Sequence, residues 1–177
     1  MKKSLSVKDL CYIALSAALL AVCSWIAIPA AVPFTLQTFA VFAVLMMLGA
    51  WRGLAAIALY LLIGGVGLPV FSGFKGGIAA LLGPTGGYLF GFLLTALTYR
   101  LLGRRERLWT EIVSLFAGLI LCYAFGTVWF VRTYTGSADM TFLRALEICV
   151  FPFLLPDAVK LAVAALVSVR VRKAVRL

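Results

Sequence analysis

Six long apolar runs, separated by short clusters of glycine, proline and charge, organise the chain at 10–28, 36–51, 54–66, 86–102, 112–131 and 151–169. About 20 residues of helix cross the hydrocarbon core of a bilayer, with fewer where a helix is short. Each run therefore reads as a membrane helix, and the chain as an all-α integral membrane protein with six transmembrane helices. The second and third runs are short and joined by a tight "GAWRG" turn, so together they also read as one re-entrant hairpin. The polar remainder is small: the first nine residues, the "RRER" turn, the 132–147 loop and the last few residues. Residues 1–177 thus form a single membrane-embedded domain.

Composition supports the membrane reading, with 64% hydrophobic and 12% charged residues and a mean hydropathy of +1.12. The net charge of +10 does not point to nucleic acid, because the basic residues sit at the edges of apolar runs. Lys2, Lys3 and Lys8 precede the first run, Arg100, Arg104, Arg105 and Arg107 border the fourth, and Arg170, Arg172, Lys173 and Arg176 follow the sixth. An even number of spans separates these clusters, so all three share one face. The positive-inside rule makes that face, and both termini, cytoplasmic. The start of the chain also has the look of a signal peptide, but its apolar run is as long as a full span and Cys23 follows Val22 rather than a small residue. Segments 29–35, 67–85 and 132–150 then face outward. They carry Pro29, Pro33, Pro69 and Pro84 and many apolar residues, which predicts structured outer loops folded onto the bundle. No obvious inverted repeat relates the first three helices to the last three, which argues against a self-contained alternating-access device.

The chain has no histidine, which excludes HExxH metalloproteases and Ser-His or Cys-His nucleophilic systems, and no metal site or catalytic residue is assigned. Ten of its sixteen glycines fall in 64–91, yet the lysine there, Lys75, is followed by Gly76-Gly77 rather than Lys-Ser/Thr, so this is no P-loop. Any ATPase is another chain. Cys11, Cys23, Cys122 and Cys149 show no CxxC pairing and read as small apolar residues. The strongest polar signal is Asp157 and Lys160 at the start of the sixth run, on one helix face near the positive end of the macrodipole. Charges inside a span are costly and mark functional sites, although the two can simply pair with each other. Thr35, Gln37 and Thr38 at the mouth of the second helix and Thr85 and Tyr88 at the mouth of the fourth are further polar candidates. Trp129, Arg132 and Tyr134 end the fifth run, where an interfacial aromatic belt is the simpler reading for the two aromatics. On the first helix, Ala14 and Ala18, and likewise Ala17 and Ala21, form two small-residue stripes, one free to face inward and the other a partner.

"VPFTLQTFAVF", "GLPVFSGFKGG", "LLGPTGGYLFGF" and "PFLLPDAVK", in this order, resemble the BioY family, the biotin-specific substrate-binding (S) components of energy-coupling-factor (ECF) transporters. The resemblance covers nearly the whole chain. It implies a six-helix component with a biotin site near the outer face. As partners it implies a transmembrane coupling subunit and two cytoplasmic ATPases that hydrolyse the ATP, docking on Ala14 and Ala18; no cofactor is implied. Biotin's ureido group offers two N–H donors and a carbonyl, its ring and chain are apolar, and its tail is a carboxylate. Asp157 would accept the N–H groups and Lys160 meet an oxygen. Phe34, Phe71 and Trp129 would cover the apolar body, with Tyr88, Gln37, Thr85 and Lys75 completing the site. Lys75 and Leu89 depart from residues common in the family. The expected function is biotin uptake without covalent chemistry. Alternatives are a stand-alone facilitator, an S component for another vitamin, or an intramembrane lipid transferase using Asp157 and Glu147.

Overall fold

In the computed structural model the described residues are 6–30, 32–103, 107–134 and 141–175; of the basic clusters, Lys2, Lys3, Arg104, Arg105 and Arg176 lie outside them. Helix α1 (Val7–Trp25) starts at Ser6. The Ser6 hydroxyl accepts from the Asp9 amide at 3.2 Å and Asp9 Oδ2 accepts from the Ser6 amide at 3.1 Å, satisfying two donors that the helix start leaves open. The helix ends at Trp25 rather than residue 28 because the chain turns there into a small hairpin. Strand β1 (Ala27–Ile28) pairs antiparallel with β2 (Phe34–Thr35), Ile28 opposite Phe34. Pro29 and Pro33 fall between the strands, where a missing amide donor costs no ladder bond.

Helix α2 (Gln37–Leu48) is buried at every position from 40 to 46. It packs against α1, α3 (Ala50–Val66), α5 (Gly86–Leu102) and α8 (Phe151–Val175). Its short run, apolar all round with no polar face, is the signature of such a central position. A single residue, Gly49, joins α2 to α3 at φ 81°, in the region that disfavours any side chain with a Cβ.

The segment predicted as an outer loop at 67–85 contains a 3-10 turn (Ser72–Phe74) and the short helix α4 (Ile78–Leu82). Helix α5 and helix α6 (Leu108–Thr133) form the most extensive contact in the bundle. The 132–150 segment contains α7 (Phe142–Cys149), capped by the Thr141 hydroxyl, directly before α8. Six of the helices thus overlie the six apolar runs. Helices α1, α6 and α8 are long and apolar enough to cross a membrane, while α2, α3 and α5 are shorter apolar helices. Their outward faces are greasy: Phe116 and Ile120 on α6 and Leu155, Val159 and Leu166 on α8 are exposed, as a lipid-facing surface requires.

Helices α6 and α8 run past their predicted ends because charge is neutralised there. Glu111, fully buried, takes both Arg172 guanidinium nitrogens at 2.8 Å on its two oxygens and the Tyr99 hydroxyl at 3.0 Å. This ties the C-terminal ends of α5 and α8 to the start of α6. At the same end Arg52 pairs with Asp9 at 2.6 Å, joining the starts of α1 and α3.

Candidate functional site

The opposite end of the bundle holds a cavity of about 520 Å³, within the usual size of small-molecule sites. Its wall combines the hairpin, the starts of α2, α5 and α8, the 71–85 segment and the middle of α6. Leu89, Phe92, Leu119 and Phe153 make its apolar part, and Asp157, Lys160, Thr38 and Tyr123 its charged corner.

That corner is built on the first turns of α8. Pro152 suits a first helical turn, and Pro156, inside the helix, withholds one backbone donor just ahead of Asp157. Asp157 is 1% exposed and Lys160 8%. Lys160 Nζ donates to Asp157 Oδ1 at 2.7 Å, to the Thr35 carbonyl at 2.7 Å and to Thr38 Oγ1 at 3.2 Å. The ammonium also lies 4.3 Å from the centre of the Phe34 ring, a cation–π contact. Thr38 in turn donates to Asp157 Oδ1 at 2.8 Å, and Tyr123 donates to Asp157 Oδ2 at 2.5 Å. A buried ion pair is tolerated only when further hydrogen bonds satisfy it, and here residues of β2, α2 and α6 do so.

Of the residues expected from sequence, Asp157, Lys160, Gln37, Thr85, Tyr88, Lys75 and Phe71 all line this one cavity. Gln37 donates its side-chain amide to the Tyr60 hydroxyl at 2.8 Å, and Tyr60 donates to the Val70 carbonyl at 3.1 Å. The Tyr88 hydroxyl is paired with Thr127 at 3.2 Å. Two residues are not brought to the cavity wall. Phe34 instead covers Lys160 and packs on Phe153, with ring centres 5.6 Å apart. Trp129 packs between Phe90 and Phe125 and donates its indole N–H to the Gly83 carbonyl at 3.0 Å. Glu147 is exposed on α7, so it forms no acid/base pair with the buried Asp157.

Sequence reasoning missed Tyr123, a tyrosine within an apolar run, and the two cavity-wall cysteines Cys122 and Cys149. The glycines of 64–91 divide between the cavity and the bundle. Gly76 and Gly83 do line the cavity, and Gly77 adopts φ 88° while donating to the Gly64 carbonyl at 2.7 Å. Gly64 instead makes room for the Phe71 ring, and Gly87 and Gly91 for α6. The 67–77 segment is fastened to α1 and α3: Trp25 Nε1 donates to the Pro69 carbonyl at 2.9 Å, and Ser24 Oγ to the Val70 carbonyl at 2.6 Å. On α1 the two alanine stripes separate, Ala17 and Ala21 facing inward and Ala14 and Ala18 outward. The outward pair borders a shallow apolar hollow with Trp25, Leu59 and Ile63.

Chemically, the cavity suits a compact, largely apolar molecule carrying N–H donors. Comparison with known proteins agrees with that description. The model of the BioY family matches residues 1–177. A biotin transporter BioY of Thermotoga maritima is 44% identical over 158 residues, covering 88% of this chain and 90% of that protein. A probable biotin transporter BioY of Pyrococcus horikoshii is 36% identical over 169 residues, covering 95% and 98%. Among solved structures, the S-component for biotin from an ECF-type ABC transporter superposes with a TM-score of 0.81 at 25% identity, covering 98% of this chain and 95% of the other.

Proposed function

The chain belongs to the BioY family, and from that premise we propose that it is the biotin-binding membrane component of an ECF transporter, taking up biotin with an ATP-driven coupling module. It is a transporter component and not an enzyme. The observation that carries the reading is the full-length family match to a chain whose one buried charge pair within an apolar cavity is Asp157–Lys160, among the described residues.

In this reading Asp157 meets a ureido N–H of biotin, and Lys160 neutralises Asp157 and is the cation nearest any ligand oxygen. Phe71, Tyr88, Gln37 and Thr85 frame the apolar body, and Lys75 stands at the mouth. Phe34 and Trp129 act from behind the wall, Phe34 by seating Lys160 and Trp129 by packing α6 against α5. The six apolar helices span the membrane with both termini cytoplasmic. Lys8, Arg52, Arg100, Arg107, Arg170, Arg172 and Lys173 all belong to the Glu111 end of the bundle, which supports that orientation, with the cavity on the outer side. The outward stripe of Ala14 and Ala18 receives the transmembrane coupling subunit, whose two cytoplasmic ATPases supply the energy.

Uptake of radiolabelled biotin into vesicles tests this directly. Reconstituted with a matched coupling module and internal ATP, the protein is expected to accumulate biotin, and without the module to bind it but not accumulate it. No biotin uptake by the complete assembly would overturn the assignment, and equal uptake without the module would favour a stand-alone facilitator.

A further inference from the structure

The Asp157–Lys160 pair in the cavity's charged corner has almost no hydrogen-bonding capacity left open, and its one opening lies beside Tyr123. A carboxylate offers about four acceptor positions and an ammonium three donors. Asp157 Oδ1 accepts from Lys160 at 2.7 Å and Thr38 at 2.8 Å, and Oδ2 accepts from Tyr123 at 2.5 Å. Lys160 places its donors on Asp157 Oδ1, the Thr35 carbonyl and Thr38 Oγ1. Thr38 donates to Asp157 and accepts from Lys160, so its hydroxyl is engaged on both sides. On the carboxylate and the ammonium themselves, what remains for a ligand, among the described residues, is one acceptor direction on Asp157 Oδ2, the oxygen that Tyr123 holds, in the cavity that both residues line.

We propose that Tyr123 is a specificity-determining positioning residue, whose hydroxyl fixes the Asp157 carboxylate so that its last acceptor position meets an N–H donor of the ligand. The proposal rests on the biotin reading above, in which that donor is a ureido N–H. The terminal torsion of an aspartate is broad, so a carboxylate held at one oxygen alone would spread its other lone pairs over a wide range of directions. A hydroxyl donating to an ionised carboxylate makes a short bond, about twice as strong as a neutral one, and Tyr123 is itself buried on α6. Holding Oδ2 also takes up one of its acceptor positions, leaving room for one ligand donor and not two. Tyr123 acts through Asp157, so its loss affects ligands that donate to that oxygen and spares ligands that do not.

The test compares biotin with its two cyclic carbamate isomers, in each of which a ring oxygen replaces one ureido N–H with little change of shape. In the purified full chain, one isomer is expected to bind on the order of a hundredfold more weakly than biotin, because an acceptor then faces the Asp157 acceptor. In Tyr123→Phe, biotin affinity is expected to fall about tenfold and that isomer's affinity to change little, so that discrimination shrinks about tenfold. A merely structural role would lower both affinities together, and a preserved ratio overturns the proposal. Thermal unfolding verifies that the variant is folded; should it not be, Tyr123→Leu is read the same way. Absence of biotin binding by the unsubstituted protein would overturn the underlying biotin reading, whereas a preserved ratio overturns only the role of Tyr123.

Discussion

Asp157 and Lys160 are one helical turn apart on α8, yet what holds them is remote in sequence: Thr38 lies 119 positions from Asp157, and Thr35 lies 125 from Lys160. Removing either charge leaves the other buried without its ionic partner, which costs on the order of 3–5 kcal/mol shared between stability and affinity. Asp157→Asn and Lys160→Ala are each expected to weaken biotin binding by more than tenfold, read by tryptophan fluorescence on purified protein; unchanged affinity in both would remove them from the site. This pair was legible in the sequence because an ionisable group inside an apolar run is costly enough to need a reason. Tyr123 was not, since a tyrosine in a membrane helix serves equally as core or interfacial belt, and only its hydroxyl's partner distinguishes the cases. Phe34 and Trp129 show the reverse limit. An aromatic near a site is easily read as ligand-facing, whereas one seats Lys160 and the other closes the α5–α6 seam.

At the scale of elements, the α5–α6 pair sets the shape of the cavity, placing Tyr88 against Thr127 and Tyr123 against α8. Its close approach depends on small residues: a Cβ at Gly91 would lie 3.0 Å from the Cys122 Cα and 3.1 Å from its Cβ, and backbone cannot yield as a flexible side chain can. Overpacking of this kind typically costs about 1–3 kcal/mol. Gly91→Leu is therefore expected to lower the thermal midpoint in detergent and to weaken biotin binding with it; an unchanged midpoint would mean the seam tolerates separation. The helices of this pair were legible from hydropathy alone. The β1–β2 hairpin, α4 and α7 were not. Two-residue strands and a five-residue helix carry no readable period, and their conformation comes from lying against the bundle.

Across the molecule the ion pairs among the described residues divide into two systems at opposite ends. Around Glu111, ion pairs and hydrogen bonds fasten α5, α6 and α8, and the Asp9–Arg52 pair fastens α1 to α3. At the other end, the Asp157 cluster joins α8 to α2, α6 and the hairpin around a cavity. The overall architecture was legible because a bilayer makes span length and apolarity nearly sufficient to predict helices. The Glu111–Arg172 pair was hidden because its members are 61 residues apart and each reads alone as an ordinary charge flanking a helix end. One end is thus closed by paired charge and the other arranged to receive a small molecule, and the identity of that molecule is the central claim. Equilibrium binding to the purified protein, run in parallel with biotin, thiamine, riboflavin and lipid headgroups, tests it most directly. Saturable one-to-one binding of biotin alone is the expected result, and equal or tighter binding of any of the others would contradict it.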